Sequence, residues 1–213
     1  MLKLDKEPMY IILGILMSLS FTGSGVLEEL KNGNKEFVEN PNISTKERIS
    51  LAEEQKPMAT VLACSDSRVP PELIFNKDLG DLFIVRIAGN TVDQLSLASL
   101  EYGVKHLGTP LLIILGHQNC GAIKAAFELG ETDFGANIGT LLSQIHPAIR
   151  EAKEKYGNEP KDTQIQHAIH FNLNHTHREI LWRSQVIREL VEEKKLMIQE
   201  AVYQIDSGKV DWY

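Results

Sequence analysis

Two cysteines and a histidine, residue types that bind zinc, stand in two separate segments of the sequence. His117 and Cys120 are three residues apart at the predicted start of a helix, so their side chains can face one point. Cys64 can join them only if two strands of a sheet bring the segments together. Thiolate and imidazole suit zinc, and three protein ligands leave a fourth position for water, as in catalytic sites. Two other interpretations stay open: an inert buried cysteine near a histidine, and a redox pair or disulfide between Cys64 and Cys120.

A carboxylate and a guanidinium lie beside the first cysteine. Asp66 and Arg68, two residues apart in a loop, can form a fork-shaped ion pair that keeps Asp66 ionised and directional. An ionised Asp66 could accept a hydrogen bond from a metal-bound water, or move onto the metal as a fourth ligand if Arg68 releases it. An ordinary salt bridge of a surface loop is the alternative interpretation.

The elements that must position these residues alternate between strand and helix patterns. Three short apolar runs predict buried strands: Met58–Cys64, Leu82–Ile87 and Leu111–Leu115. Amphipathic spacing predicts helices over Val26–Glu39, Leu95–Leu107, Ala122–Leu129, Ile138–Tyr156 and Ile165–Glu193. This order predicts an α/β fold with a mainly parallel β-sheet flanked by helices. Ligands of such sheets bind beyond the carboxyl ends of the strands, where both reactive segments lie.

Composition limits the class of protein. A chain of 213 residues with 43% hydrophobic and 24% charged residues is typical of one folded domain of ordinary size. The net charge of −7 and the lack of a dense basic run argue against nucleic acid as a partner. Two cysteines are too few for a disulfide-built scaffold.

The amino terminus carries an uncharged stretch, Met9–Phe21, followed by small residues. It is too short for a comfortable transmembrane helix and resembles the apolar region of a secretory signal. A buried helix, or a start codon placed too early, are the alternatives. We therefore expect residues 1–25 to be a signal peptide or leader and residues 26–213 to be the catalytic domain. Export to the periplasm would follow from a signal peptide, and a cytoplasmic location from its absence.

The two reactive segments, read together, resemble a known family. CSDSR at 64–68 and HQNC at 117–120 are similar to the CxDxR and HxxC motifs of the β-class carbonic anhydrases. The resemblance extends from about Val26 to the end of the chain and is especially close over Pro57–Ala126. It includes the connecting sequence, for example Gly89-Asn90 and Ser99-Leu100-Glu101-Tyr102.

The resemblance implies a zinc enzyme, with one Zn²⁺ per subunit, that interconverts carbon dioxide and bicarbonate. Cys64, His117 and Cys120 would bind the zinc, and zinc-bound water or hydroxide would be the nucleophile. The pair Asp66–Arg68 would orient it, with Asp66 as a fourth zinc ligand in a closed state.

The resemblance also implies a substrate pocket at a dimer interface. Its residues would be Gln55, which could hydrogen-bond bicarbonate, together with Phe83, Ala88, Tyr102 and Gly121. A homodimer or a higher even oligomer is therefore expected.

Three positions distinguish this chain within the family. Some members carry a tryptophan three residues before the first zinc cysteine and a glycine just before it, features associated with a regulatory bicarbonate site. Here those positions are Val61 and Ala63, which favours the ungated form with water rather than Asp66 on zinc at neutral pH. Glu200 stands where the family's last strand usually has a glycine, which leaves the local packing open.

Two alternative functions keep the same fold. One is a hydrolase of carbon disulfide or carbonyl sulfide that uses the same zinc site. The other is a non-catalytic homologue that binds bicarbonate or regulates a partner. The intact Asp66–Arg68 pair and Gln55 argue against the non-catalytic homologue, because a protein that only binds bicarbonate does not need all three of these residues.

Overall fold

The computed structural model describes residues 22–39, 45–129 and 135–213. The chain forms two compact units, Met1–Glu53 and Glu54–Tyr213. The stretch Met9–Phe21 lies outside the described residues, so the leader stays a prediction. Within the described ranges, no helix combines the length and the apolar character needed to span a bilayer.

The described part of the first unit, residues 22–39 and 45–53, includes helices α1 (Gly23–Glu39) and α2 (Thr45–Glu53). Helix α1 confirms the helix predicted over Val26–Glu39 and begins three residues earlier. The amphipathic pattern of this segment predicts a helix that packs its apolar side, but no residue of α1 is buried.

The second unit is built on a five-stranded sheet of order β2-β1-β3-β4-β5. Its elements in chain order are β1 (Ala59–Ala63), α3 (Pro71–Ile74), β2 (Leu82–Arg86), α4 (Gln94–Glu101), β3 (Leu111–His117), α5 (Gly121–Leu129), α6 (Ala136–Tyr156), α7 (Lys161–Arg183), α8 (Gln185–Glu192), β4 (Met197–Tyr203) and β5 (Val210–Trp212). The first four strands of the sheet are parallel and β5 is antiparallel to β4. The predicted α/β class with a mainly parallel sheet is confirmed.

Two predicted helices differ from those in the structure. The helix predicted to Leu107 ends as an α-helix at Glu101 and continues as a π-helical turn, Tyr102–His106. The helix predicted over Ile165–Glu193 is two helices, because Ser184 between them has extended backbone angles. Its hydroxyl accepts the Ile187 N–H at 3.0 Å and donates to Glu101 at 2.6 Å, so a cap and a tertiary contact interrupt a continuous apolar pattern.

The two faces of the sheet are covered differently. On one face, Leu62, Leu112 and Ile114 pack with residues of α4 to α8 in the main core. On the other face, Val61, Ala63, Ile113 and Leu115 pack with Ile74 of α3 and its flanking loops. Because both faces are covered, β1 and β3 are almost continuously apolar, as is usual for parallel strands.

The unusual Glu200 is accommodated by a partner on α7. Its carboxylate lies 2.6 Å from Nδ1 of His177, and its side chain is mostly buried. The charge therefore has a hydrogen-bonded neighbour instead of a purely apolar surrounding.

Candidate metal centre

The sheet brings the two reactive segments to one edge. Strands β1 and β3 are parallel neighbours in which Ala63 pairs with Leu115. Cys64 follows the last residue of β1, and His117 is the last residue of β3, so their carboxyl ends meet. Ligand atoms of Cys64, His117 and Cys120 all lie within 4.8 Å of one another, and all three residues are buried. The convergence predicted from the sequence is confirmed.

A tight turn lets His117 and Cys120 face the same point. Asn119 between them has a φ of 57°, in the left-handed region that asparagine tolerates better than most residues. The Gln118 N–H donates to the Tyr203 carbonyl at 2.9 Å, which attaches the turn to β4. Gly121, directly after Cys120, begins α5.

The two sulfur atoms are 4.0 Å apart, and both cysteines are free thiols. The disulfide interpretation therefore does not describe this structure. Chiefly a hydrogen bond from the Cys120 thiol, with a smaller contribution from the Gly89 N–H at 3.2 Å, lowers the pKa of Cys64 against the opposing effect of burial. The same contact and burial raise the pKa of Cys120. A metal ion bound at this pair would displace the thiol protons.

The His117 ring is fully buried and is held at one nitrogen. Nδ1 lies 2.9 Å from the Gln118 carbonyl, an acceptor, which places the proton on Nδ1 and the lone pair on Nε2. In the described part of the chain, Nε2 has no hydrogen-bond partner. A buried unpaired acceptor beside two sulfurs is what a metal ligand requires.

The dimensions of the cluster fit zinc. Tetrahedral zinc with Zn–S bonds of about 2.3 Å separates two sulfurs by about 3.8 Å, close to the observed 4.0 Å. Two thiolates and a neutral imidazole are also the donor types that zinc prefers.

Asp66 and Arg68 form the predicted fork next to the cluster. Oδ1 of Asp66 accepts Nε–H of Arg68 at 2.9 Å, and Oδ2 accepts Nη2–H at 2.8 Å. These bonds hold the pKa of the Asp66 carboxyl well below its usual range, so it is ionised. Oδ2 lies 3.9 Å from Nε2 of His117, and Nη2 of Arg68 also donates to the Asn119 carbonyl at 3.3 Å. The pair therefore links both reactive segments.

Arg86, which sequence reasoning did not single out as a site residue, binds the backbone of the segment that carries Cys64 and Asp66. Its Nε donates to the Cys64 carbonyl at 2.9 Å and its Nη2 to the Asp66 carbonyl at 2.6 Å. The available signal was a cation at the carboxyl end of the otherwise apolar strand β2, beside the end of β1.

The residues predicted for the substrate pocket fall into two groups. Ala88 and Gly121 each adjoin a residue of the metal cluster or one that contacts it: Ala88 opens the 3₁₀ turn Ala88–Asn90, whose Gly89 contacts Cys64. Gly121 directly follows Cys120 and is exposed.

The second group lies toward the other end of β1. Phe83 pairs with Thr60, four residues or about 13 Å along the strand before Cys64. The rings of Phe83 and Tyr102 are 5.8 Å apart, and Gln55 is an exposed residue that precedes β1. One chain therefore does not by itself bring this group to its own metal ligands.

The comparison with protein families decides what kind of protein this is. The model of the carbonic anhydrase family matches residues 59–210, which include both reactive segments. The chain belongs to the β-carbonic anhydrase family. It is an enzyme, a carbonic anhydrase, and its cofactor is zinc.

Curated relatives and solved structures agree with this assignment. The chain is 34% identical to carbonic anhydrase 2 of Mycobacterium tuberculosis over 189 residues, covering 84% of this chain and 87% of the relative. It is 33% identical to the carbonic anhydrase of Mycolicibacterium smegmatis, covering 85% and 89%. The β-carbonic anhydrase CcaA has a TM-score of 0.82 at 26% identity, covering 88% of this chain and 87% of that one.

A structural neighbour of lower sequence identity is described as an oligomer. One of two β-carbonic anhydrases of the ascomycete Sordaria macrospora, described as tetrameric, has a TM-score of 0.74 at 23% identity and covers 89% and 94%. At that identity the likeness shows the fold alone.

Proposed function

We propose that this carbonic anhydrase hydrates carbon dioxide at a zinc held by Cys64, His117 and Cys120, with Asp66 and Arg68 as the orienting pair. The observation that carries the proposal is the convergence of three buried ligand atoms within 4.8 Å, beside the Asp66 carboxylate, which the Arg68 guanidinium holds by two hydrogen bonds. When bound, zinc supplies the Lewis acid that makes hydroxide available from water near neutral pH, a property for which carbonic anhydrases are the standard example.

Asp66 has the capacity to orient the reacting water. Its carboxylate offers about four acceptor positions, and Arg68 occupies three of them through Nε–H, Nη2–H and the backbone N–H at 3.0 Å. The remaining position belongs to Oδ2, the oxygen on the His117 side of the carboxylate. Because Asp66 is ionised, it accepts a proton-bearing partner there and does not donate.

The same fork supports an open site. Arg68 engages both carboxylate oxygens of Asp66, and the one acceptor position left on Oδ2 would receive a hydrogen bond from the reacting water rather than bind the metal. We therefore assign the fourth position to water, in agreement with Val61 and Ala63 at the positions where gated members differ.

We further propose that the substrate pocket is completed across a dimer. The metal ligands and Ala88 come from one subunit, and the partner subunit's Gln55, the partner subunit's Phe83 and the partner subunit's Tyr102 wall the pocket. The separation of these two groups along β1 supports this arrangement, since about 13 Å of strand divides them within one chain.

Stopped-flow hydration of carbon dioxide, combined with zinc analysis, tests the proposal. We expect Asp66→Ala to keep zinc, while its hydration rate falls by a factor of about 10² to 10⁴, the range for a lost acid–base group. Cys120→Ser serves as the contrasting variant and should lose zinc together with activity. Full activity in Asp66→Ala would refute the role of the carboxylate.

The same measurement separates the alternatives. A zinc-loaded wild-type protein without hydration activity would point to a non-catalytic bicarbonate-binding homologue. Preferential turnover of carbon disulfide or carbonyl sulfide would point to the hydrolase.

A further inference from the structure

The Cys64 sulfur receives a hydrogen bond from a turn that other residues must hold in place. The Gly89 N–H, in the turn Ala88–Asn90, lies 3.2 Å from Cys64 Sγ, and both residues are buried. A donor on a thiolate withdraws charge from the sulfur and so reduces the charge that the sulfur gives to a metal. Partners of this kind tune metal sites.

The turn is costly to form on its own. Gly89 and Asn90 have consecutive φ values of 70° and 44°, in the left-handed region. Glycine tolerates this region, but a chain of two such residues persists only where its surroundings hold it. The turn contributes one internal bond, from the Asn90 N–H to the Ile87 carbonyl at 2.9 Å.

Helix α7 supplies two further bonds to the turn from one side. Nδ2 of Asn172 donates to the Gly89 carbonyl at 2.8 Å, and Oγ1 of Thr176 donates to the Asn90 carbonyl at 3.3 Å. Asn172 and Thr176 are four residues apart, so they lie on the same side of the helix. Both are buried.

Burying the polar amide of Asn172 at this place costs free energy. Asn172 is 1% exposed, and its immediate neighbour on α7, Leu173, belongs to the main core. Its Oδ1 has no hydrogen-bond partner within the described ranges. An apolar side chain would avoid the cost of burying this amide, so the bond to Gly89 is the feature that the asparagine provides.

We propose that Asn172, assisted by Thr176, is a positioning residue of the metal centre: it holds the Gly89 turn so that its N–H donates to the Cys64 thiolate. The inference rests on the proposed metal site. It adds that α7, which provides no metal ligand, sets how strongly one of the two sulfurs donates charge to the metal.

Cobalt-substituted holoenzyme provides a readout that activity alone does not. Cobalt bound by thiolates absorbs light by transferring charge from sulfur to metal, and a more electron-rich sulfur gives up charge at lower energy. We expect Asn172→Leu to move this band to longer wavelength and to reduce kcat about tenfold in the zinc enzyme. Thr176→Val should move the band in the same direction by less.

Thr109→Val is the matched control. Thr109 is also a buried hydroxyl that donates to a backbone carbonyl, that of Gly103 at 3.2 Å, and it bonds Thr60 at 2.7 Å near the start of β1. It should destabilise the protein without moving the cobalt band.

The outcomes separate the inference from the function beneath it. An unchanged band in Asn172→Leu, or an equal shift in Thr109→Val, would overturn the positioning role while leaving the metal site intact. If Asn172→Leu does not fold, Thr176→Val decides the question by the same criterion. A wild-type protein that binds cobalt without any sulfur-to-metal band would overturn the metal site and this inference with it.

Discussion

Replacing Gly89 with alanine should damage the protein in two ways that the structure separates. The residue has a φ of 70°, which costs a residue with a side chain about 1–2 kcal/mol. A Cβ atom there would lie 2.7 Å from Cδ1 of Ile145 and 3.3 Å from Cβ of Ala122. Overfilling a packed core costs a further 1–3 kcal/mol or so. We therefore expect Gly89→Ala to lower the free energy of unfolding by about 2–5 kcal/mol.

Gly108 offers a control for the backbone contribution alone. Its φ of 74° is nearly the same, but nothing lies within 4 Å of a Cβ built on it. Gly108→Ala should therefore cost about 1–2 kcal/mol. Urea unfolding at a fixed zinc concentration, followed by tryptophan fluorescence, gives both values.

A double mutant identifies the clash. Ile145→Val removes the Cδ1 atom that the new methyl group would strike. The combination with Gly89→Ala should be less destabilised than the sum of the two single variants, by about 1 kcal/mol. If Gly89→Ala costs no more than Gly108→Ala, the close approach of α6 to the turn is not a real constraint, and the reasoning fails.

Three further predictions concern charge and metal. Arg68→Lys keeps the charge but replaces two bonds to Asp66 by one, so the hydration rate should fall at least tenfold with zinc content unchanged. Asp93 caps α4, where the Ser96 N–H at 2.7 Å lowers the pKa of the carboxyl. Asp93→Ala should cost about 1 kcal/mol at pH 7. Because the pKa is lower in the folded state, this difference should disappear as the pH falls below about 4, measured by urea unfolding at each pH. Removing zinc with a chelator should abolish hydration and lower the unfolding temperature. Adding zinc back at about 100 times its Kd should raise the free energy of unfolding by about 2.7 kcal/mol. An unchanged unfolding temperature would contradict binding at Cys64, His117 and Cys120.

Sequence patterns predicted the strands and the convergence of the ligands because these depend on local, strongly periodic features. Apolar runs that end in reactive residues identify the carboxyl ends of β1 and β3. Parallel pairing of these strands then brings both ends to the same edge of the sheet. The break at Ser184 was not predictable in this way, since it depends on a tertiary partner, Glu101. The same holds for Asn172, whose importance lies in the carbonyl that it contacts.

The division of the pocket residues also lay beyond sequence patterns. The spacing of Phe83 and Tyr102 along the chain does not reveal that their rings meet near the start of β1, away from Cys64. That placement depends on the register between β1 and β2, which the patterns leave open.

The adjacency of β1 and β3 has a consequence for biosynthesis. A nascent chain that has emerged only through β2 possesses Cys64 without either of the other ligands, and it cannot capture the ion. Only after Cys120 has left the ribosome and the central strands have paired does a tight binding position exist. The metal can therefore be bound tightly only once β1 and β3 have paired, although the three ligands are all synthesised before β4 and β5.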